Sequence, residues 1–139
     1  MHTMKIDEFP EQVSDVLKGL VSEKETDSIW FIGSRVNGTE RADSDWDFIA
    51  FVGDQISERT ARHDRVDIIR VDSDWNYLLE GKDMQSSGQF KTWRWREVEP
   101  GRACYTIRVT PQVEDGCSFD TEDVRFVELR GIRVWRRNA

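Results

Sequence analysis

The sequence predicts an α+β fold: a mixed β-sheet with flanking helices, followed by a β-rich C-terminal extension. Three observations carry that expectation. Apolar residues recur at helical spacing near the N-terminus, three short apolar runs of strand length follow, and the last third alternates bulky with polar residues. No internal repeat, low-complexity tract or linker splits the chain. One domain over 1–139 is expected, with its core at about 11–80 and the extension at about 86–139.

In chain order, Phe9, Val13, Val16, Leu17 and Leu20 mark an amphipathic helix over 11–24, with Pro10 where a first turn tolerates proline. Ser28 to Ile32 reads as a buried strand ending in the turn Gly33-Ser34, and Asn37-Gly38 signals a second turn. Asp47 to Val52 is another buried strand, and residues 55–64 are polar with room for a helical turn. Arg65 to Val71 is a third strand. Ser73 to Glu80 has the pattern of a short helix capped by Ser73 and stopped by Gly81. Phe90 to Arg96 and Tyr105 to Thr110 alternate as strands do, and Val124 to Trp135 reads as two short strands or one bulged at Gly131.

Composition bounds the function. The chain has 139 residues, enough for a real core, and six Trp, two Tyr and seven Phe exclude a disordered chain. No apolar run approaches the roughly 20 residues of a membrane span. The acidic start, MHTMKIDEFPEQ, has no apolar signal region, so a cytoplasmic protein is expected. Two cysteines, Cys104 and Cys117, make no disulfide framework and no metal-ligand spacing, and both read as inert. His63, with no partner His or Cys, reads as a surface residue. The net charge of −7 is uneven: residues 1–85 carry 10 Lys and Arg against 19 Asp and Glu, whereas residues 86–139 carry 10 against 8. An acidic first half argues against simple electrostatic nucleic-acid binding there and suits carboxylates gathered around divalent cations.

The chemistry concentrates in three places: Gly33-Ser34 after a strand, Asp45-Trp46-Asp47-Phe48 opening the next, and Asp67 within the third. Two residues apart on a strand, Asp45 and Asp47 point to one face with Cα atoms roughly 6–7 Å apart. Asp67 aimed the same way would make a third carboxylate. Oxygen ligands of this kind suit Mg²⁺ or Mn²⁺. The Gly-Ser turn offers backbone N–H groups and a hydroxyl to a phosphate, and Arg35 adds a cation. An acidic calcium loop starting at Asp43 is excluded, because its sixth position, Phe48, must be glycine.

Gly33-Ser34, the spacer, Asp45-Trp46-Asp47-Phe48 and Val66-Asp67-Ile68 together resemble the signature of the DNA polymerase β-like nucleotidyltransferase superfamily, of the minimal nucleotidyltransferase type. The resemblance covers roughly residues 11–80 and implies a nucleotidyltransferase-type mixed sheet. It implies that Gly33 and Ser34, with Arg35, bind the nucleoside triphosphate, ATP being the default donor. It further implies that Asp45 and Asp47 bind Mg²⁺ or Mn²⁺, while Asp67 completes a metal and activates an acceptor hydroxyl. The acceptor is open among protein, RNA and small molecule. Two other classes stand beside this one: an antitoxin-type, partner-binding half of a two-component toxin system, and a nucleotide-binding module without turnover.

In residues 86–139, Trp93 and Trp95 interleave with Arg94 and Arg96, which fits either stacking on nucleic acid or a strand with an aromatic core face. An exposed aromatic strand edge would also allow a homodimer or a protein partner. Arg130, Arg133, Arg136 and Arg137 read as a solvated edge or a polyanion contact.

Overall fold

A computed structural model describes residues 4–53, 65–80, 85–109 and 125–138. The turn considered for 55–64, together with His63 and Cys117, lies outside the described residues. After a one-turn 3₁₀ helix at Ile6–Glu8 come α1 (Glu11–Val21), β1 (Thr26–Ile32), the one-turn α2 (Ser34–Asn37), β2 (Trp46–Val52) and β3 (Val66–Val71). Next are β4 (Asn76–Glu80), β5 (Gln85–Gln89), a 3₁₀ turn at Phe90–Trp93, β6 (Arg96–Glu99), β7 (Arg102–Val109) and β8 (Arg125–Arg136). The eight strands among the described residues form one curled mixed sheet in the order β5-β4-β3-β2-β1-β8-β7-β6.

This architecture corrects the expected α+β fold. The molecule is mostly β, and among the described residues α1 is the one α-helix longer than a single turn. The sheet is therefore not the helix-flanked sheet of a nucleotidyltransferase, and the C-terminal segment is no separate extension. Instead, β8 pairs antiparallel with the free edge of β1 and carries β7 and β6 with it. A twelve-residue strand can do this because Gly131 lets it lie close: a Cβ there would stand 3.1 Å from both Ile32 and the Trp95 ring.

Each face of the sheet has its own core. Because α1 repeats apolar residues at Val13, Leu17 and Leu20, it buries one stripe on Ile29, Phe31, Phe48 and Ala50. Its start is set by Pro10, whose carbonyl accepts the Ser14 N–H at 2.8 Å. Past its end, Glu23 meets the buried Arg70 of β3 at 3.7 Å. The opposite, concave face gathers Trp30, Ile49, Ile69 and Val71 under Phe90, Ala103 and Tyr105. Its cover is aromatic rather than helical: Trp93 and Trp95 each lie against both Phe90 and Tyr105 at centroid distances of 4.9–5.9 Å.

Two local expectations also change. Residues 73–80 form a turn and then strand β4, with no helix. The Asp72 carboxylate, not Ser73, does the capping: it accepts the N–H groups of Asp74 and Asn76, both at 2.9 Å. Trp75 then adopts φ +65° and turns the chain back along β3. The stretch Phe90 to Arg96 opens with a 3₁₀ turn ended by Arg94 at φ +53° and joins β6 only at Arg96, so its tryptophans reach the core from the turn and the link after it instead of from a strand.

Candidate functional site

The site is built where β1, β2 and β3 end together. Strands β2 and β3 run parallel with Asp47 opposite Asp67, one strand spacing apart, about 4.8 Å. Alternation decides which way they face. Phe48, Val66 and Ile68 pack under α1, whereas Ile49 and Ile69 pack in the concave core. Asp47 and Asp67 therefore share the concave face, and their side chains are hydrogen-bonded to each other.

Gly33 is required by this arrangement. It holds φ +88°, and a Cβ there would overlap the Asp47 carboxylate, so the turn after β1 closes directly onto the acid. The Gly33 N–H donates to the hydroxyl of Tyr105 at 3.2 Å. Its carbonyl accepts the Asn37 side-chain amide at 2.8 Å, and Asn37 in turn exchanges hydrogen bonds with the Arg130 backbone at 2.9 and 3.3 Å. Through these bonds β7 and β8 brace the turn that carries Ser34.

The loop before β2 is clamped by two arginines. Arg35 donates to the Ser44 carbonyl at 2.9 Å and lies over the Trp46 ring at 4.1 Å, while Arg65 donates to the Ala42 carbonyl at 2.8 Å. Arg35 thus acts as a brace for the acidic loop, and its charge also favours the ionised form of Asp47. Asp45 sits exposed just before β2 and adds negative potential to both other carboxylates.

These surroundings set the titration. Burial, the neighbouring Asp67 and then Asp45 push Asp47 up from 3.8 to about 7, against the pull of Arg35. Asp67 is raised as well, by burial first and by Asp45, while its hydrogen bond with Asp47 works the other way. Burial and the charge of Asp47 push Tyr105 up to about 12 despite the bond from Gly33, so its phenol keeps its proton at neutral pH.

A cavity of about 430 Å³ opens from the acids into the concave face. Gly33, Ser34, Asn37, Thr39, Asp47 and Asp67 line one end, and Ile32, Ile69, Leu79, Trp93, Tyr105, Ile107 and Leu129 form the rest. Of the six residues read from the sequence, Gly33, Ser34, Asp47 and Asp67 meet at this cavity, while Asp45 and Arg35 stand beside it. The residues that sequence reasoning missed are Asn37, read as a turn signal only, and Tyr105. Alternation along β7 does place Tyr105 inward with Ala103 and Ile107, but nothing local says which strand it will face.

The donor set suits a hard divalent cation. Two crowded carboxylates share a hydrogen bond at a position where a cation would relieve the same repulsion, and the ligands are all oxygen. Among the described residues no group of three His, Cys, Asp or Glu is drawn together tightly enough to mark a metal site, so Asp45 contributes by charge at its present place.

Outside the site, Trp93 and Trp95 are half-buried against Phe90 and Tyr105. The aromatic residues of this segment are therefore part of the core, and they do not form an exposed strand edge. Arg133 lies 5.6 Å over Trp30 and 3.7 Å from Glu97. Arg137 donates to the carbonyls of Thr26, Val21 and Glu23. Cys104 is a free, half-buried thiol on β7. No helix among the described residues is long and apolar enough to cross a membrane. Comparison with protein-family models, with curated proteins and with solved structures finds no match for this chain.

Proposed function

We propose that this protein is a divalent-cation-dependent nucleotidyltransferase, which moves a nucleoside monophosphate from an NTP to an acceptor hydroxyl and releases pyrophosphate. The observation that carries the reading is the pairing of Asp47 with Asp67 on one face, at the end of the strands where Gly33 and Ser34 line the same cavity. Acids at that position beside a Gly-Ser turn match the parts nucleotidyl transfer requires.

Asp47 and Asp67 would hold Mg²⁺ or Mn²⁺, with the charge of Asp45 beside them favouring the cation. Bound there, the cation would neutralise phosphate charge and polarise the phosphorus that is attacked. The turn at Gly33 and Ser34 receives the phosphates, kept in place by Asn37 and Tyr105. Asp67 accepts the proton of the acceptor hydroxyl, since its carboxylate lines the same cavity. Tyr105 stays protonated and serves as a positioning residue for Gly33.

The test is a thermal-shift titration with each NTP, with and without Mg²⁺, joined to turnover of α-labelled NTP. Specific binding should stabilise the wild type by about 3 kcal/mol at a hundredfold excess over Kd. Asp67→Asn should abolish turnover and leave the fold intact. Turnover that survives Asp67→Asn overturns the mechanism, and the absence of any nucleotide shift overturns the reading.

A further inference from the structure

Resting on the nucleotidyl-transfer reading, we propose that the acceptor is a compact, uncharged and largely apolar small molecule bearing one hydroxyl, seated in the cavity that ends at Asp47 and Asp67. The cavity is about 430 Å³, within the range that encloses a drug-sized ligand. Its walls are Ile69, Leu79, Trp93, Ile107, Leu129 and the Tyr105 ring, with polar groups confined to one end. Trp93 and Tyr105 lie 5.7 Å apart with their rings inclined at 31°, an aromatic wall for a planar body.

Much of that polar end is already committed. The Asn37 side chain binds Gly33 and Arg130, and the Tyr105 hydroxyl receives the Gly33 N–H. What remains for an occupant is the Asp47–Asp67 pair and the hydroxyls of Ser34 and Thr39, all at that end. A molecule with polar atoms around its whole edge, such as a nucleobase or a peptide, would leave them unpaired against Ile107 and Leu129, a desolvation cost that nothing there offsets. A polynucleotide needs cations along its path, and here it would meet Asp45, Asp47 and Asp67. One hydroxyl on an apolar body avoids both costs and brings its oxygen to the carboxylates.

The chemistry then balances within the site. The acceptor oxygen bonds to the α-phosphorus of the NTP as the bond from that phosphorus to the bridging oxygen breaks. Pyrophosphate leaves with the electron pair, and the hydroxyl proton passes to Asp67.

Two probes separate this inference from the reading beneath it. The neutral dye 6-propionyl-2-(dimethylamino)naphthalene reports entry into an apolar cavity by a blue shift of its emission. The compound 4-biphenylmethanol tests competition and, with Mg²⁺ and α-labelled NTP, transfer. The dye should bind the wild type and Asp67→Asn alike, and 4-biphenylmethanol should displace it and become labelled by the wild type only. Leu129→Phe, which fills the cavity, should weaken dye binding at least about tenfold while the Mg²⁺-dependent nucleotide shift persists. Ile107→Phe makes the same test from the opposite strand if the first variant does not fold. Nucleotide shifts without any dye binding overturn the apolar acceptor and leave the transferase reading standing. Displacement of the dye by a short oligonucleotide overturns the small-molecule class. Dye binding with no nucleotide shift removes the transferase reading and the acceptor role together.

Discussion

The two faces of the sheet are filled with the same kind of residue and differ in how they are closed. Under α1, Leu17, Ile29, Phe48 and Ala50 are all 0% exposed, and Phe9 stands edge-on to Phe31, Trp46 and Phe48. The concave face is equally aromatic, but its cover is a 3₁₀ turn and two tryptophans, and its apolar lining stops at two carboxylates. A helix satisfies its own backbone and can lie flush on a sheet. A short aromatic segment covers only with its rings, which leaves room beside them. The difference teaches why the acids sit where they do: raised carboxylates are tolerated at the open end of the looser face.

The largest effect should come from the closed face. Leu17→Ala should cost about 3 kcal/mol in urea unfolding, through lost burial and the cavity left behind, without altering nucleotide binding by the folded fraction. The half-buried Leu79 across the sheet should cost about 1 kcal/mol on the same change. Equal losses would erase the contrast between the faces.

Gly33→Ala comes next, at about 2–3 kcal/mol, because the new Cβ meets Asp47 and the backbone holds φ +88°. A cost near zero in thermal melts would mean that the turn yields and that Asp47 is not held against it.

Asp47→Asn probes the electrostatics of the open face, and its sign follows from the titration. With Asp47 raised from 3.8 to about 7, the folded state holds a proton that the unfolded chain has lost between those values. The stability this supplies is full below pH 3.8, falls as pH rises and is gone once pH has passed about 7. Asp67, also raised, acts in the same direction. Wild-type stability should therefore fall between pH 4 and 8, and Asp47→Asn should flatten the decline. A pH profile of Tm that is the same in both proteins would overturn the assignment. The smallest effect belongs to an exposed pair remote from the acids: breaking Arg96–Glu128, 2.8 Å apart, should cost about 0.5 kcal/mol and nothing in binding.

Particular residues show what was legible beforehand. The helix expected at 11–24 ends at Val21, and the three apolar runs become β1, β2 and β3 at nearly the expected limits. The shared face of Asp47 and Asp67 followed from alternation once those strands lay side by side in register. The helix expected at 73–80 failed because Asp72 and Trp75 turn the chain, and β3 then offers the next residues a ladder. The strand expected at 90–96 failed because its alternation came from rings that reach the core out of a turn.

By itself, the sequence determined the local elements of the first half and the acids they carry, because periodicity and turn residues act within a few positions. Only the tertiary structure decided that β8 would take the edge of β1, that Tyr105 and Asn37 would brace Gly33, and that an aromatic wall would close the cavity. Those outcomes depend on pairings between residues as far apart as Asn37 and Arg130. Such pairings are chosen by the burial and hydrogen bonding of the whole sheet, and no short stretch of chain encodes them.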